Sequence, residues 1–272
     1  MRIITCPSAQ NVVEGDTVTQ DLPVGNLVYE MLQVDMGGTT FLADDILNIS
    51  LKADGNEIQF FESGTVLQDI NDYYTRPANT AALQLFLSRP EMVRLTDQRI
   101  TGLATNGLAS LVLSGDLSGT TAPTMVTRRA VTGLRKENAI PLVTKVKRFT
   151  YAPGAAGEVE CSNIRLGPRI IAIHFYKSDV DSVIIQDEES VIYRGDKTEL
   201  EYMQEAYGRT PQSAVMTTVD FCLDNDLSQA LETTRIGRDN VERARALRIL
   251  PTVGSSGSMP VYVEYLDRLG NP

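Results

Sequence analysis

The sequence predicts an all-β chain built as two antiparallel sandwiches in tandem, and three observations carry that expectation. Short runs of alternating apolar and polar residues are separated by Gly, Pro, Asn and Asp turns, the pattern of an antiparallel sandwich or barrel rather than a parallel α/β sheet. Long amphipathic helices are missing from the pattern. Eight positions of the first half reappear in kind 133 residues later, about half of the 272-residue length: Leu51 with Ile184, Asp54 with Asp187, Ile58 with Val191, Phe60 with Tyr193, Leu67 with Leu200, Ile70 with Met203, Tyr74 with Tyr207 and Arg76 with Arg209. A period that long indicates a duplicated domain rather than a short-repeat solenoid.

Taken in chain order, residues Met1 to Cys6 and the polar run to Gln20 read as a short arm, about residues 1–18, that orders on assembly. Leu27, Tyr29 and Met31 alternate as a strand. Ile49 and Leu51 alternate before Ala53-Asp54-Gly55-Asn56, whose Asp-Gly step is a hairpin signal, and Ile58 and Phe60 alternate after it. Beyond Ser63-Gly64-Thr65, the residues Leu67, Ile70 and Tyr74 fall on one helical face, and Pro77 stops the helix. Leu83, Leu85 and Leu87 give a further strand, as do Leu111 and Leu113 after Gly107.

In the second half Ile171, Ile173 and Phe175 alternate. Ile184, the turn Asp187-Glu188-Glu189, Val191 and Tyr193 repeat the hairpin, and Leu200, Met203 and Tyr207 repeat the helical face. Thr198 with Glu201 forms a capping box, and Gly208 followed by Pro211 marks the helix end. Val215, Thr217, Val219, Phe221 and Leu223 make a five-position strand face, and Val261, Val263 and Tyr265 make the last one. The boundary between domains is placed at 138/139, giving 1–138 and 139–272, each of a size that buries a sizeable core.

Composition narrows the function classes. Hydrophobic residues make up 42%, enough for two cores, and no stretch approaches the roughly 18 apolar residues that span a bilayer as a helix. The start Met1-Arg2-Ile3-Ile4-Thr5-Cys6-Pro7 lacks the apolar region of a secretory signal, so synthesis in a host bacterial cytoplasm is expected. Cys6, Cys161 and Cys222 lie far apart with no CxxC spacing, which favours free thiols over a structural zinc site. A net charge of −10 repels phosphate backbones, so sequence-specific nucleic-acid binding is not expected. Basic residues nevertheless gather at Arg128, Arg129, Arg135, Lys136, Lys145, Lys147 and Arg148, opposed there only by Glu137. They read as a solvated connecting segment; the functional alternative is a patch facing lipid headgroups.

Catalytic constellations are sparse. His174 is the only histidine, which excludes a three-histidine metal site, and its place between Ile173 and Phe175 reads as an ordinary surface or interface residue. Gly115-Asp116-Leu117-Ser118-Gly119 and Gly254-Ser255-Ser256-Gly257 lack the lysine and the strand-to-helix context of a phosphate loop. No carboxylate pair for glycoside hydrolysis stands out among 35 acidic residues. Asp220, Asp224 and Asp226 gather at one strand end, where hard oxygen ligands can hold Ca²⁺, although the spacing is not that of an EF-hand.

The segment Leu22-Pro23-Val24-Gly25-Asn26-Leu27-Val28-Tyr29-Glu30-Met31, the hairpin from Ile49 to Phe60 and the helix Leu67-Gln68-Asp69-Ile70-Asn71-Asp72-Tyr73-Tyr74 resemble the N-terminal domain of the major capsid proteins of corticoviruses, tailless icosahedral phages with an internal membrane. The likeness is best over residues 17–90. It implies two eight-stranded antiparallel jelly rolls side by side, a homotrimer with pseudo-hexagonal outline, and an icosahedral shell of such trimers over a lipid vesicle. Partners would be other copies, other virion proteins such as a vertex protein, and the membrane or its proteins on the inner face. No cofactor is required on this reading, with Ca²⁺ at some shell contacts as its only ion. The geometry is intelligible: a trimer of tandem sandwiches has six lobes, which tile a curved sheet with near-hexagonal contacts.

Two other classes fit an all-β chain. A virion receptor- or carbohydrate-binding module should cluster exposed aromatics on its loops, yet there is no Trp and the 17 Tyr and Phe fall mostly on the alternating faces or the two helices. A double-sandwich glycan hydrolase needs carboxylates of shifted pKa in a cleft.

Overall fold

Turn chemistry and period-two burial set the strands of the computed structural model, which describes residues 1–77, 79, 81–134, 142–236 and 242–270. The chain divides into two compact units, Met1–Val146 with Asp267–Pro272, and Lys147–Leu266. The sequence placed the division at 138/139; it falls instead inside a strand, and no shift of composition marks the point.

The first unit holds β1 (Arg2–Thr5), β2 (Thr17–Asp21), β3 (Leu27–Gly37), β4 (Ile46–Ala53), β5 (Asn56–Ser63), helix α1 (Gly64–Tyr73), β6 (Ala82–Phe86), the short helix α2 (Leu95–Ile100), β7 (Leu103–Ala104), β8 (Leu111–Leu117) and β9 (Thr124–Gly133). One sheet has the order β1-β9-β3-β6, with β7 pairing β3, and the other β2-β8-β4-β5. With the two-residue β7 left out, the strands in chain order pair as 1-8-3-6 and 2-7-4-5, which is a jelly roll. The segment read as an arm therefore belongs to the barrel: Arg2-Ile3-Ile4-Thr5 pairs antiparallel with β9. Four residues were too few to read as a strand.

The second unit is built from β10 (Leu142–Tyr151), β11 (Gly157–Glu158), β12 (Arg169–Phe175), β13 (Val180–Asp187), β14 (Ser190–Asp196), helix α3 (Lys197–Ala206), β15 (Thr217–Asp220), the ribbon strands β16 (Thr234–Ile236) and β17 (Glu242–Ala244), β18 (Leu247–Val253) and β19 (Met259–Arg268). Its sheets run β10-β19-β12-β15 and β11-β18-β13-β14. Apart from the ribbon, the strand order is again 1-8-3-6 and 2-7-4-5. The helix follows the fifth strand in both units. Ile173, Phe175, Val183, Ile185, Val261 and Val263 belong to the second core; Leu32, Leu51, Ile58, Leu85 and Leu113 are buried in the first unit.

The duplication is real in the fold, but its register changes along the chain. In the first hairpin Ala53 pairs with Asn56 around Asp54 and Gly55, both at positive φ as a type I′ turn requires. In the second, Asp187 pairs with Ser190, so the offset there is 134 (53 to 187). The helices, both ten residues long, are offset by 133 (64 to 197). Strand β14, with seven residues, is one shorter than β5, with eight, which removes the extra position. A one-residue slip turns a strand side chain to the other face. The counterpart of buried Leu51 is therefore buried Ile185, not the half-buried Ile184.

Three local expectations need correction. The strand read from Val215 to Leu223 spans only Thr217–Asp220, because Asp220 Oδ1 accepts a hydrogen bond from the Cys222 amide at 2.9 Å and turns the chain. The capping box of α3 is Asp196 with Glu199, not Thr198 with Glu201. Of the α3 face, Leu200 is buried while Met203 and Tyr207 are exposed. At the start of α1, Gly64 is needed for space: a Cβ there would meet the Ala43 carbonyl oxygen and sit 2.9 Å from Leu83 Cδ1. Gly64→Ala is expected to cost about 1–3 kcal/mol in chemical denaturation despite its better helix propensity.

Candidate functional site

The residues repeated after each helix converge on two buried ionic sites. Both helices end on a left-handed residue, Thr75 at φ +55° and Gly208 at φ +79°. That reversal lets the next amide return to the helix, Arg76 N to Asn71 O at 3.0 Å and Arg209 N to Gln204 O at 2.8 Å. Each guanidinium then turns inward. Arg76 Nη2 lies 2.7 Å from Glu91 Oε1, Arg89 Nε lies 3.1 Å from the same oxygen, and the Tyr74 ring faces both cations at 4.5 and 4.8 Å. In the second unit Arg209 Nε lies 2.9 Å from Asp220 Oδ2, with Nη1 donating to Asn225 Oδ1 at 2.6 Å and Nη2 to the Cys222 carbonyl at 3.1 Å. Burial works to raise the Glu91 carboxyl, but Arg76 and Arg89, with the Arg76 hydrogen bond, hold it below its ordinary value.

A carboxamide completes each site. Asn71 Nδ2 donates to the Gln84 carbonyl on β6 at 2.8 Å, and Gln204 Nε2 donates to the Thr218 carbonyl on β15 at 2.7 Å. Each ties its helix to the following strand. This pair keeps the 133-residue offset and was missed in the sequence because the two residue types differ. Glu91 was missed for another reason: it has no carboxylate counterpart at that offset, the second unit using Asp220 from its own β15.

The other residues singled out in the sequence are mostly structural. His174 is wholly buried rather than at a surface, with Nδ1 2.9 Å from Thr218 Oγ1 and Nε2 3.1 Å from Glu264 Oε1. With its proton on Nε2 the ring donates to the carboxylate and accepts from the hydroxyl. Asp220, Asp224 and Asp226 do not converge on a shared point: Asp220 is committed to Arg209 and the Cys222 amide, Asp224 accepts from the Asp226 amide at 3.3 Å, and Asp226 caps Ser228 at 2.9 Å. Among the described residues no group of three His, Cys, Asp or Glu side chains is placed to hold a metal ion. All three cysteines are buried and free. Burial, with Glu160 nearby, pushes the Cys161 thiol up to about 12, so it stays protonated at neutral pH.

The basic cluster is not one patch. Arg128 pairs with Asp35, buried Arg129 donates to the Pro23 carbonyl at 3.1 Å and to the Tyr29 hydroxyl, and buried Lys145 lies 2.9 Å from Asp267. Arg135, Lys136 and Glu137 lie outside the described residues. Burial of Arg129 and Lys145 contradicts a wholly solvated segment. Their carboxylate and carbonyl partners come from strands and loops distant in sequence.

The surface feature that remains is apolar. Beside α3 and β14 runs a groove of about 500 Å³ lined by Tyr193, Leu200, Tyr202, Met203 and Leu223, with Arg194 and Glu199 at its rim. Tyr202, Met203 and Tyr207 of the helix side and Val191 and Ile192 of the strand are exposed. Contiguous exposed apolar surface of this kind marks contact sites.

Comparison with known proteins agrees with this architecture. Residues 3–132 match the family described as viral coat protein P2, N-terminal domain, and residues 143–269 match viral coat protein P2, C-terminal domain. No curated sequence matches significantly. Among solved structures, the major capsid protein P2 from bacteriophage PM2 superposes with a TM-score of 0.85 at 22% identity, over 99% of this chain and 98% of that one. The structure of Sulfolobus turreted icosahedral virus gives 0.66 at 13% identity over 97% and 89%, and the PBCV-1 virus capsid 0.62 at 8% identity over 97% and 92%.

Proposed function

Because the chain belongs to the viral coat protein P2 family through both of that family's domains, and so serves as a structural subunit of a virion capsid, we propose that it assembles as a homotrimer whose six jelly rolls form a pseudo-hexagonal capsomer. The observation that carries this reading is the identical strand order of the two units within one chain. Two similar lobes per copy give a three-fold trimer six similar lobes, and closed rotational symmetry satisfies every subunit contact. Two packed sheets per lobe also shelter most strand edges, which limits uncontrolled pairing at the high local concentration of a shell.

On this reading the capsomers enclose a lipid vesicle, and other virion proteins occupy the vertices. The chain's role is mechanical, and no chemistry is assigned to it. The buried arginine sites hold each helix against its barrel, so that lateral surfaces keep their shape under assembly. Light scattering and electron microscopy of the purified protein test the proposal. Trimers that grow into curved sheets or shells are expected; a persistent monomer, or a monomer that hydrolyses glycans, overturns it.

A further inference from the structure

The two helices of the repeat differ in what covers them. In the first unit Ile70 and Tyr74 are buried, Tyr74 beneath Arg76 and Arg89 of the chain's own following segment. At the same offset in the second unit, Met203 and Tyr207 are each 46% exposed, and the adjoining Tyr202 is 71% exposed. The groove between α3 and β14 is thus a place where the fold provides a cover in one copy of the domain and omits it in the other. Acidic side chains surround it, Glu199, Glu201 and Glu205 on α3 itself.

The first unit carries a knob of matching character. Val93 is 75% exposed and Leu95 56% exposed at the start of α2, with the exposed cation Arg94 between them. Two apolar side chains flanking a positive charge complement an apolar groove with a negative rim, and complementary charge fixes register while the apolar core supplies affinity.

We propose that the α3–β14 groove of one copy receives the Val93-Arg94-Leu95 knob of a second copy. This rests on the coat-protein reading above and deepens it by assigning a subunit contact. Each chain owns one groove on its second unit and one knob on its first. The contact is heterologous, and three copies can close it into a ring.

The test uses the full chain, because the native thiols are buried and leave surface cysteines unambiguous. Leu95→Cys with Met203→Cys in one chain is expected to give disulfide-linked dimers and trimers on mild oxidation, while either substitution alone gives none. Leu95→Glu and Met203→Glu, at exposed positions, are each expected to weaken self-association at least about tenfold by sedimentation, with melting unchanged. Cross-linking by Met203→Cys alone would mean that α3 pairs with α3 and would overturn the assignment. An oligomer indifferent to both charge substitutions, with no cross-link in the double variant, rejects this contact but leaves the shell reading standing. A wild-type chain that never self-associates rejects both.

Discussion

Glu91→Gln is expected to destabilise the first unit by about 3–5 kcal/mol, because it removes the one carboxylate that Arg76 and Arg89 both approach while leaving two guanidinium charges buried. The cost lies in the uncompensated cations rather than in the lost hydrogen bonds. Urea denaturation at constant m-value measures it, and hydrogen exchange should localise the loss to α1 and the segment that follows. The pH dependence supplies an independent check. The folded Glu91 carboxyl titrates below its unfolded value, so the stability it contributes is fully present above about pH 4.3. That contribution is lost as the pH falls through the depressed folded value. The gap between wild type and Glu91→Gln should therefore be constant at neutral pH and narrow on acidification. A gap that persists unchanged at pH 2 would show that the carboxylate charge is not what matters. Replacing all three ionic residues by Met should cost less than Glu91→Gln alone, since a packed apolar cluster leaves no charge unpaired.

Much of the architecture was legible because its signals are local. The Asp54-Gly55 turn, the alternation around it and the switch to helical spacing at Leu67 each depend on neighbours a few residues away. The long repeat then declared two domains of one kind. What the sequence hid depends on partners far along the chain. His174 takes Thr218 and Glu264, 44 and 90 positions away, and Lys145 takes Asp267, 122 positions away. An alternating strand shows which side chains share a face; it does not show that both faces are covered. The constant spacing also concealed the residue missing from β14. Apolar residues stand at both 184 and 185, so either register looked regular, and only burial separates Ile185 from Ile184. The exposed half of the α3 face is the reverse case. Met203 and Tyr207 have the spacing of a core stripe, which is also the spacing of a stripe that meets another molecule.

Arg209→Met and Asp220→Asn are expected to destabilise the second unit by about 3–5 and 2–4 kcal/mol respectively, and the double variant by much less than their sum. The asymmetry follows from what each leaves behind. Without Arg209, Asp220 retains only the Cys222 amide among the polar contacts described for it, and a buried carboxylate loses its counter-charge. With Asn at 220, Arg209 still donates to Asn225 and to the Cys222 carbonyl. A double-mutant cycle measured by chemical denaturation isolates the pair. The same variants decide what the acidic residues at this strand end do. If Asp220 serves the arginine, Ca²⁺ on the order of 1 mM should shift the melting of wild type and Asp220→Asn equally. If Ca²⁺ raises the melting temperature of wild type but not of Asp220→Asn, the carboxylate reaches an ion in solution, and the buried pair is not its native state.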